Sequence, residues 1–272
     1  MTNLQKRISS GLVLLFALAI VIQASLTTIP LLLLLILVCF EFSKFFKDRI
    51  QSLLFILAII SIFFFPDYLP YLGTPKHYFH IGMEFLGCMI WISLFIRILL
   101  YDNPNMNRFE IFISGYLMIM PSYISAVFIS NAYAKLLLLV LISVSFADSA
   151  AYFFGKKFGR RILLQNTSPG KTLEGLIGAI ILTPVFLVLI SSFLEIKLYG
   201  ALLLGIVITP ISFMGDVVFS FIKRSAKVKD SSILIPGHGG FIDLLDGSIA
   251  LLPFIAILLI TAENLVRNAL YQ

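Results

Sequence analysis

The chain has 272 residues, of which 60% are hydrophobic and 12% charged, with a mean hydropathy of +1.03 and a formal charge of +6. A soluble domain carries about 25% charged residues, so this composition excludes a water-soluble globular fold and leaves an all-α, polytopic membrane helix bundle. Cys39 and Cys88 both lie in apolar runs and form neither a disulfide framework nor a metal-ligand spacing.

A spanning helix needs about 20 predominantly apolar residues. In chain order the apolar runs predict nine transmembrane helices, at 8–25, 27–44, 51–69, 81–100, 109–130, 136–154, 175–194, 198–221 and 248–265. Lys6 and Arg7 ahead of the first run, and Ala17-Leu18-Ala19 late in it, resemble a secretion signal. Because many spans follow, the segment is read as an uncleaved first helix. With the N-terminus cytoplasmic, Lys76, Lys135, Lys197 and Arg267 fall on the outer face and the other sixteen of the 20 lysines and arginines on the inner one. That asymmetry fixes the expected orientation and accounts for the basic charge without nucleic acid. The chain reads as one integral membrane domain, 1–272. Helices in 1–135 carry no identifiable chemistry, and catalytic helices in 136–265 carry two dense cytoplasmic loops, 155–174 and 222–247.

Ionisable groups inside lipid are costly unless they face protein or water. Asp148 and Asp216 sit near the cytoplasmic ends of spans six and eight among small residues, which predicts a polar cavity. Glu174 opens span seven, with Thr172 placed to cap that helix. In the 222–247 loop, Gly237, Gly239 and Gly240 let backbone amides approach an anion. Asp243 and Asp246, three residues apart, share a face if helical. Two such carboxylates repel unless a cation lies between them, and hard oxygen ligands suit Mg²⁺. With clustered cations on the same membrane face, the pattern points to phosphate chemistry.

Ser220, Lys223, Arg224, Lys229, Asp230, Pro236, His238, Gly239, Gly240, Asp243 and Asp246 fall in the register of the phosphatidate cytidylyltransferase (CDP-diacylglycerol synthase) signature, and the stretch resembles that family. Upstream, Asp148 to Gly159, Ser168-Pro169-Gly170-Lys171-Thr172-Leu173-Glu174-Gly175 and Gly215-Asp216 are similar to further family segments, so the likeness covers about 148–247. Leu244 stands where the family has arginine, Leu173 where it usually has tryptophan, and Gly170 where it often has lysine.

The resemblance implies cytidylyl transfer from CTP to phosphatidate, giving CDP-diacylglycerol and pyrophosphate. It implies catalytic roles for Asp216, Lys223, Asp243 and Asp246. Metal, Mg²⁺ with room for a second ion, is expected at Asp216, Asp243 and Asp246. Substrate contacts are expected from Asp148, Ser168, Lys171, Thr172, Arg224, Lys229, Asp230, His238, Gly239 and Gly240. The expected partners are CTP, phosphatidate and membrane lipid, with a homodimer allowed and no nucleic acid. The expected location is the bacterial inner membrane, active site toward the cytoplasm. A CTP-dependent polyprenol or phytol kinase, or a cytidylyltransferase for another lipid phosphate, fits the same loops. A transporter fits less well, because the carboxylates lie toward one face and no repeat is visible.

Overall fold

A computed structural model describes residues 28–46, 48–60, 75–191, 197–235 and 239–261. These form eight helices: α1 (Thr28–Ser43), α2 (Arg49–Ile60), α3 (Pro75–Leu100), α4 (Arg108–Ala132), α5 (Ala134–Phe158), α6 (Leu173–Ile190), α7 (Leu198–Ser225) and α8 (Phe241–Thr261). Among the described residues the six helices α3 to α8 are long and apolar enough to cross a membrane, while α1 and α2 are apolar but shorter. The expected span 8–25 and the end of the expected span 51–69 lie outside the described residues.

Several helices, α7 and α8 among them, stay helical past the ends that hydropathy marks, because their own backbone hydrogen bonds satisfy each turn whether or not lipid surrounds it. α7 runs on to Ser225 and carries Lys223 and Arg224 in its last turn. α8 begins at Phe241, seven residues before the expected 248, so Asp243 and Asp246 belong to its first turns and not to a loop. The 155–174 segment is not simply a loop either. Ile162–Leu164 (β1) and Ser168–Thr172 (β2) pair antiparallel as a short hairpin between α5 and α6.

α8 is the hub of the bundle, packed against α7, α4, α3 and α1 and touching α5. Its partners approach closely at small residues. A Cβ on Gly215 would meet the Asp246 carbonyl at 2.5 Å and Ala250 Cβ at 2.7 Å, and one on Gly247 would meet Ser212 Cβ at 3.0 Å. This tight α7–α8 seam carries Asp216 up beside Asp246. Ser122 of α4 donates to the Ile249 carbonyl at 2.5 Å, tying a third helix to the seam.

The outer surface is apolar in stripes. On α6, Ile177, Ile181, Val185 and Leu189 recur every four residues and are all exposed. α3 exposes Phe85, Met89, Ile92, Ile96 and Leu99 in the same way. Continuous exposed apolar faces of this kind suit lipid rather than water. The amino-terminal helices add an aromatic cluster in which Phe42 stacks on Phe55 at 5.0 Å and Phe46 packs at 6.0 Å from Phe112 of α4.

Candidate active site

Four helix ends meet at one end of the bundle: the carboxyl ends of α5 and α7 and the amino ends of α6 and α8. The hairpin contributes Lys171 from the edge of β2. Lys171 Nζ pairs with Asp216 Oδ2 at 2.5 Å and lies 4.4 Å over the ring of Phe213. Ser220, one turn on from Asp216, donates to its other oxygen at 3.3 Å.

The second pair is buried. Lys223 Nζ meets Asp243 Oδ1 at 2.5 Å, with 9% and 8% of the two side chains exposed. Asp243 Oδ2 accepts from Ser231 N at 2.7 Å, Ser231 Oγ at 2.9 Å and Gly240 N at 2.9 Å. Asp243 thus has Oδ1 engaged by Lys223 and Oδ2 crowded by Ser231 and Gly240. Its sharing of a helix face with Asp246 is therefore not sharing of a ligand: Asp243 turns back to the loop ahead of α8.

Asp246 is buried, and its hydrogen-bond donor among the described residues is the adjacent Gly247 N at 2.7 Å. It lies within electrostatic reach of Asp216, Asp148, Lys223 and Lys171. Asp148, exposed in the carboxyl-terminal half of α5, interacts electrostatically with Asp216 and Lys171. Thus four carboxylates, Asp148, Asp216, Asp243 and Asp246, and two ammonium groups, Lys171 and Lys223, share one small region. Among the described residues no three Asp, Glu, His or Cys converge as ligands of one ion. Of the expected metal ligands, Asp216 is paired with Lys171 and Asp243 with Lys223. Asp246 lies close enough to Asp216 for their charges to interact. Mg²⁺ typically takes one or two carboxylates and fills its shell with waters and phosphate oxygens, so Asp216 and Asp246 are the pair that would hold it.

The other expected residues fall in two groups. Thr172 caps α6, accepting from Gly175 N at 3.2 Å, as its sequence position predicts. Glu174 accepts from Arg160 N at 2.9 Å and Arg161 N at 3.2 Å, closing the hairpin base. Ser168 lies half-buried in β2. Lys229 and Asp230 are exposed, and Arg224 is half-buried at the end of α7. Gly239 adopts φ +103, a left-handed conformation that favours glycine, and its N–H donates to the Ile235 carbonyl at 3.0 Å. The amide of Gly239 thus has its partner in the loop and that of Gly240 in Asp243 of α8. His238, with Pro236 and Gly237, lies outside the described residues. Leu244 is half-buried one residue beyond Asp243.

Two carboxylates from the amino-terminal half also reach this region, and no local spacing in the sequence marks them. Asp102, just after α3, accepts from Asn166 N at 2.7 Å, Thr167 N at 2.9 Å and Thr167 Oγ1 at 2.5 Å, gripping the hairpin turn. Glu41 of α1 is fully buried against the loop before α8. Beside Lys171, an apolar cavity of about 280 Å³ is lined by Phe95, Leu99, Leu163, Leu164, Leu176, Pro210 and Phe213.

The model of the cytidylyltransferase family matches residues 5–262. The chain belongs to the cytidylyltransferase family. Within it, the chain is similar to the phosphatidate cytidylyltransferase of Haemophilus influenzae, at 44% identity over 125 residues covering 44% of this chain and 43% of that protein. Escherichia coli YnbB, an uncharacterized protein, is 44% identical over 121 residues, 44% of this chain and 41% of its own length. The phosphatidate cytidylyltransferase of Staphylococcus epidermidis is 30% identical over 176 residues, 62% of this chain and 68% of that protein. The chain therefore matches less than half the length of the first two relatives. Family membership also agrees with the sequence signature, whose described residues gather at one end of the bundle.

Proposed function

We propose that this family member transfers the cytidylyl group of CTP to a lipid phosphate, with phosphatidate the first candidate, at the cytoplasmic face of a bacterial inner membrane. The observation that carries this is a charged cluster, Asp216 with Lys171 and Asp246 with Lys223 close by, set beside an apolar cavity that Phe213 also lines. An amphiphilic phosphate substrate needs both surfaces at once. The names of the Haemophilus and Staphylococcus relatives point to the same chemistry.

In the proposed reaction an oxygen of the lipid phosphate attacks the α-phosphorus of CTP. The bond from that phosphorus to the bridging oxygen breaks, and pyrophosphate leaves with the electron pair. No covalent enzyme intermediate is required, so the protein's work is positioning and charge stabilisation. Lys171 and Lys223 would bind phosphate oxygens, each held in place by its aspartate. Asp243 would keep the loop and Lys223 in register, and Asp148 would take a polar substrate group. Mg²⁺, if held by Asp216 and Asp246, would neutralise the charge of the triphosphate. The attacking phosphate is already ionised, so His238 is assigned to shaping the loop rather than to proton removal. The acyl chains would lie along the apolar cavity and the lipid-facing grooves.

Purified protein given CTP, Mg²⁺ and phosphatidate is expected to release pyrophosphate and form CDP-diacylglycerol, and EDTA is expected to stop both. Release of CDP with phosphorylation of a polyprenol or phytol would assign the chain to lipid kinases instead. Turnover of another lipid phosphate but not phosphatidate would keep the reaction and change the substrate.

A further inference from the structure

We infer that Glu41, on an amino-terminal helix far in sequence from the signature, is a positioning residue that holds the catalytic loop and the first turn of α8 in register with Asp243 and Lys223. Its catalytic consequence rests on the functional reading of the site given above.

Glu41 is fully buried near the end of α1. Its Oε1 accepts from Ser232 Oγ at 2.6 Å and from Phe241 N at 3.0 Å. Its Oε2 accepts from Ser231 Oγ at 2.9 Å and from Ile242 N at 3.0 Å. All four donors lie within residues 231–242, and they engage the full acceptor capacity of the carboxylate.

The first N–H groups of a helix lack intrahelical partners, and a Ser, Thr, Asp or Asn just ahead of the helix normally satisfies them. Gly240 stands there instead, with no side chain to offer. The cap comes from Glu41, 200 and 201 residues away in sequence. A Cβ on Gly240 would run into Ser231 Oγ and both oxygens of Glu41. The glycine thus makes room for a carboxylate from another helix.

Ser231 links this cap to the chemistry, because its hydroxyl lies within hydrogen-bond distance of both Glu41 and Asp243. A hydroxyl has one proton to donate, so the two carboxylates share it. Asp243 in turn holds Lys223. A change at Glu41 therefore reaches Lys223 through Ser231 and Asp243. Glu84 provides the comparison: it is also a buried carboxyl of the amino-terminal half, but it accepts from Ser125 of α4 and, among the described residues, from no donor of this loop.

The full chain, purified in detergent, is compared with Glu41→Gln, Glu41→Ala, Glu41→Asp and Glu84→Gln. Amide hydrogen exchange is followed across 231–242, and kcat and the KM for CTP are measured per folded molecule. Glu41→Gln and Glu41→Ala are expected to speed exchange at Phe241 and Ile242. They are expected to lower kcat by about tenfold to a hundredfold, as outer partners of functional carboxylates commonly do, with a smaller change in KM. Glu41→Asp, which keeps the charge, is expected to recover part of both, and Glu84→Gln is expected to leave exchange in the loop unchanged. Unaltered exchange at 241–242, or wild-type kcat in folded Glu41→Gln, would overturn the inference. If the Glu41 variants fail to insert, Ser232→Ala removes one partner of Glu41 without touching the helix, and the same shifts are expected at smaller size. Their absence would also overturn it. A wild type without cytidylyl transfer, whose loop exchange still responds to Glu41, would refute the functional reading and leave the loop-holding role standing.

Discussion

Asp243 and Asp246 are three residues apart, yet the structure gives them different surroundings. Asp243 is engaged by Lys223 and three loop donors, whereas the donor seen on Asp246 is the next backbone amide. Asp216→Asn and Asp246→Asn are expected to raise the Mg²⁺ concentration needed for half-maximal activity and to lower kcat by about two orders of magnitude, as loss of a charged contact at a reacting phosphate does. Asp243→Asn is expected to fail differently. It leaves the Lys223 ammonium buried without its counter-charge, which costs about 3–5 kcal/mol, so folded yield and loop order fall while the Mg²⁺ requirement of the residual activity stays put. Metal titrations of the three variants against thermal stability separate the two roles, and an equal Mg²⁺ shift in all three would return Asp243 to the metal. The sequence made the signature residues legible because each lies at a fixed local spacing. It could not show that Lys223, twenty positions earlier, neutralises Asp243. That pairing depends on the approach of α7 to α8.

At the scale of elements, hydropathy located the helices well and their ends poorly. It reads where lipid stops, whereas α7 and α8 continue beyond that point and carry the functional side chains on their extra turns. Thr172 as a helix cap was legible, being a local relation of three residues. The hairpin was not, since β1 and β2 are 3 and 5 residues long with no marked alternation. Nor was its clamp, because Asp102 and Thr167 are 65 positions apart. Asp102 places the turn of the hairpin whose second strand delivers Lys171 to Asp216. Hydrogen bonds to a charged acceptor are worth about 1.5–3 kcal/mol each, less where solvent reaches them, as it does at Asn166. Asp102→Ala is expected to lower kcat by about fivefold to tenfold, corresponding to about 1 kcal/mol of lost positioning, and to expose Arg160 and Arg161 to faster tryptic cleavage. Unchanged cleavage and turnover would mean that the hairpin holds itself in place.

For the whole molecule, one end of the bundle is chemically unlike the other. Lys171, Asp216, Lys223, Asp243, Asp102 and Glu41 all gather where α7 ends and α8 begins. α4 measures the distance to the far side. Its first turn lies at the site end, where Glu110 pairs with Arg97 at 3.0 Å, and 25 residues carry it to Ala132. At 1.5 Å per residue that is about 37 Å, enough to cross the hydrocarbon core of a bilayer, about 30 Å thick. Asn131 near its end and Ile233 in the loop before α8 are both exposed, Ile233 at 95%. The lysine and arginine asymmetry is the ground for expecting the loop inside the cell. Ser231, although in the same loop, is a poor reporter, since it is buried between Glu41 and Asp243. Single cysteines at Ile233 and Asn131, introduced with Cys39 and Cys88 replaced, are therefore expected to react with an impermeant maleimide from opposite sides: Ile233→Cys only in inverted vesicles, Asn131→Cys only in intact cells. CTP, a charged cytosolic nucleotide, can reach the cluster only from the face where Ile233 reacts. Labelling of both positions from one side would contradict a membrane-crossing α4. Labelling of Ile233→Cys from outside would remove the nucleotide from reach of its proposed site, and cytidylyl transfer could not then be the activity of this end of the bundle.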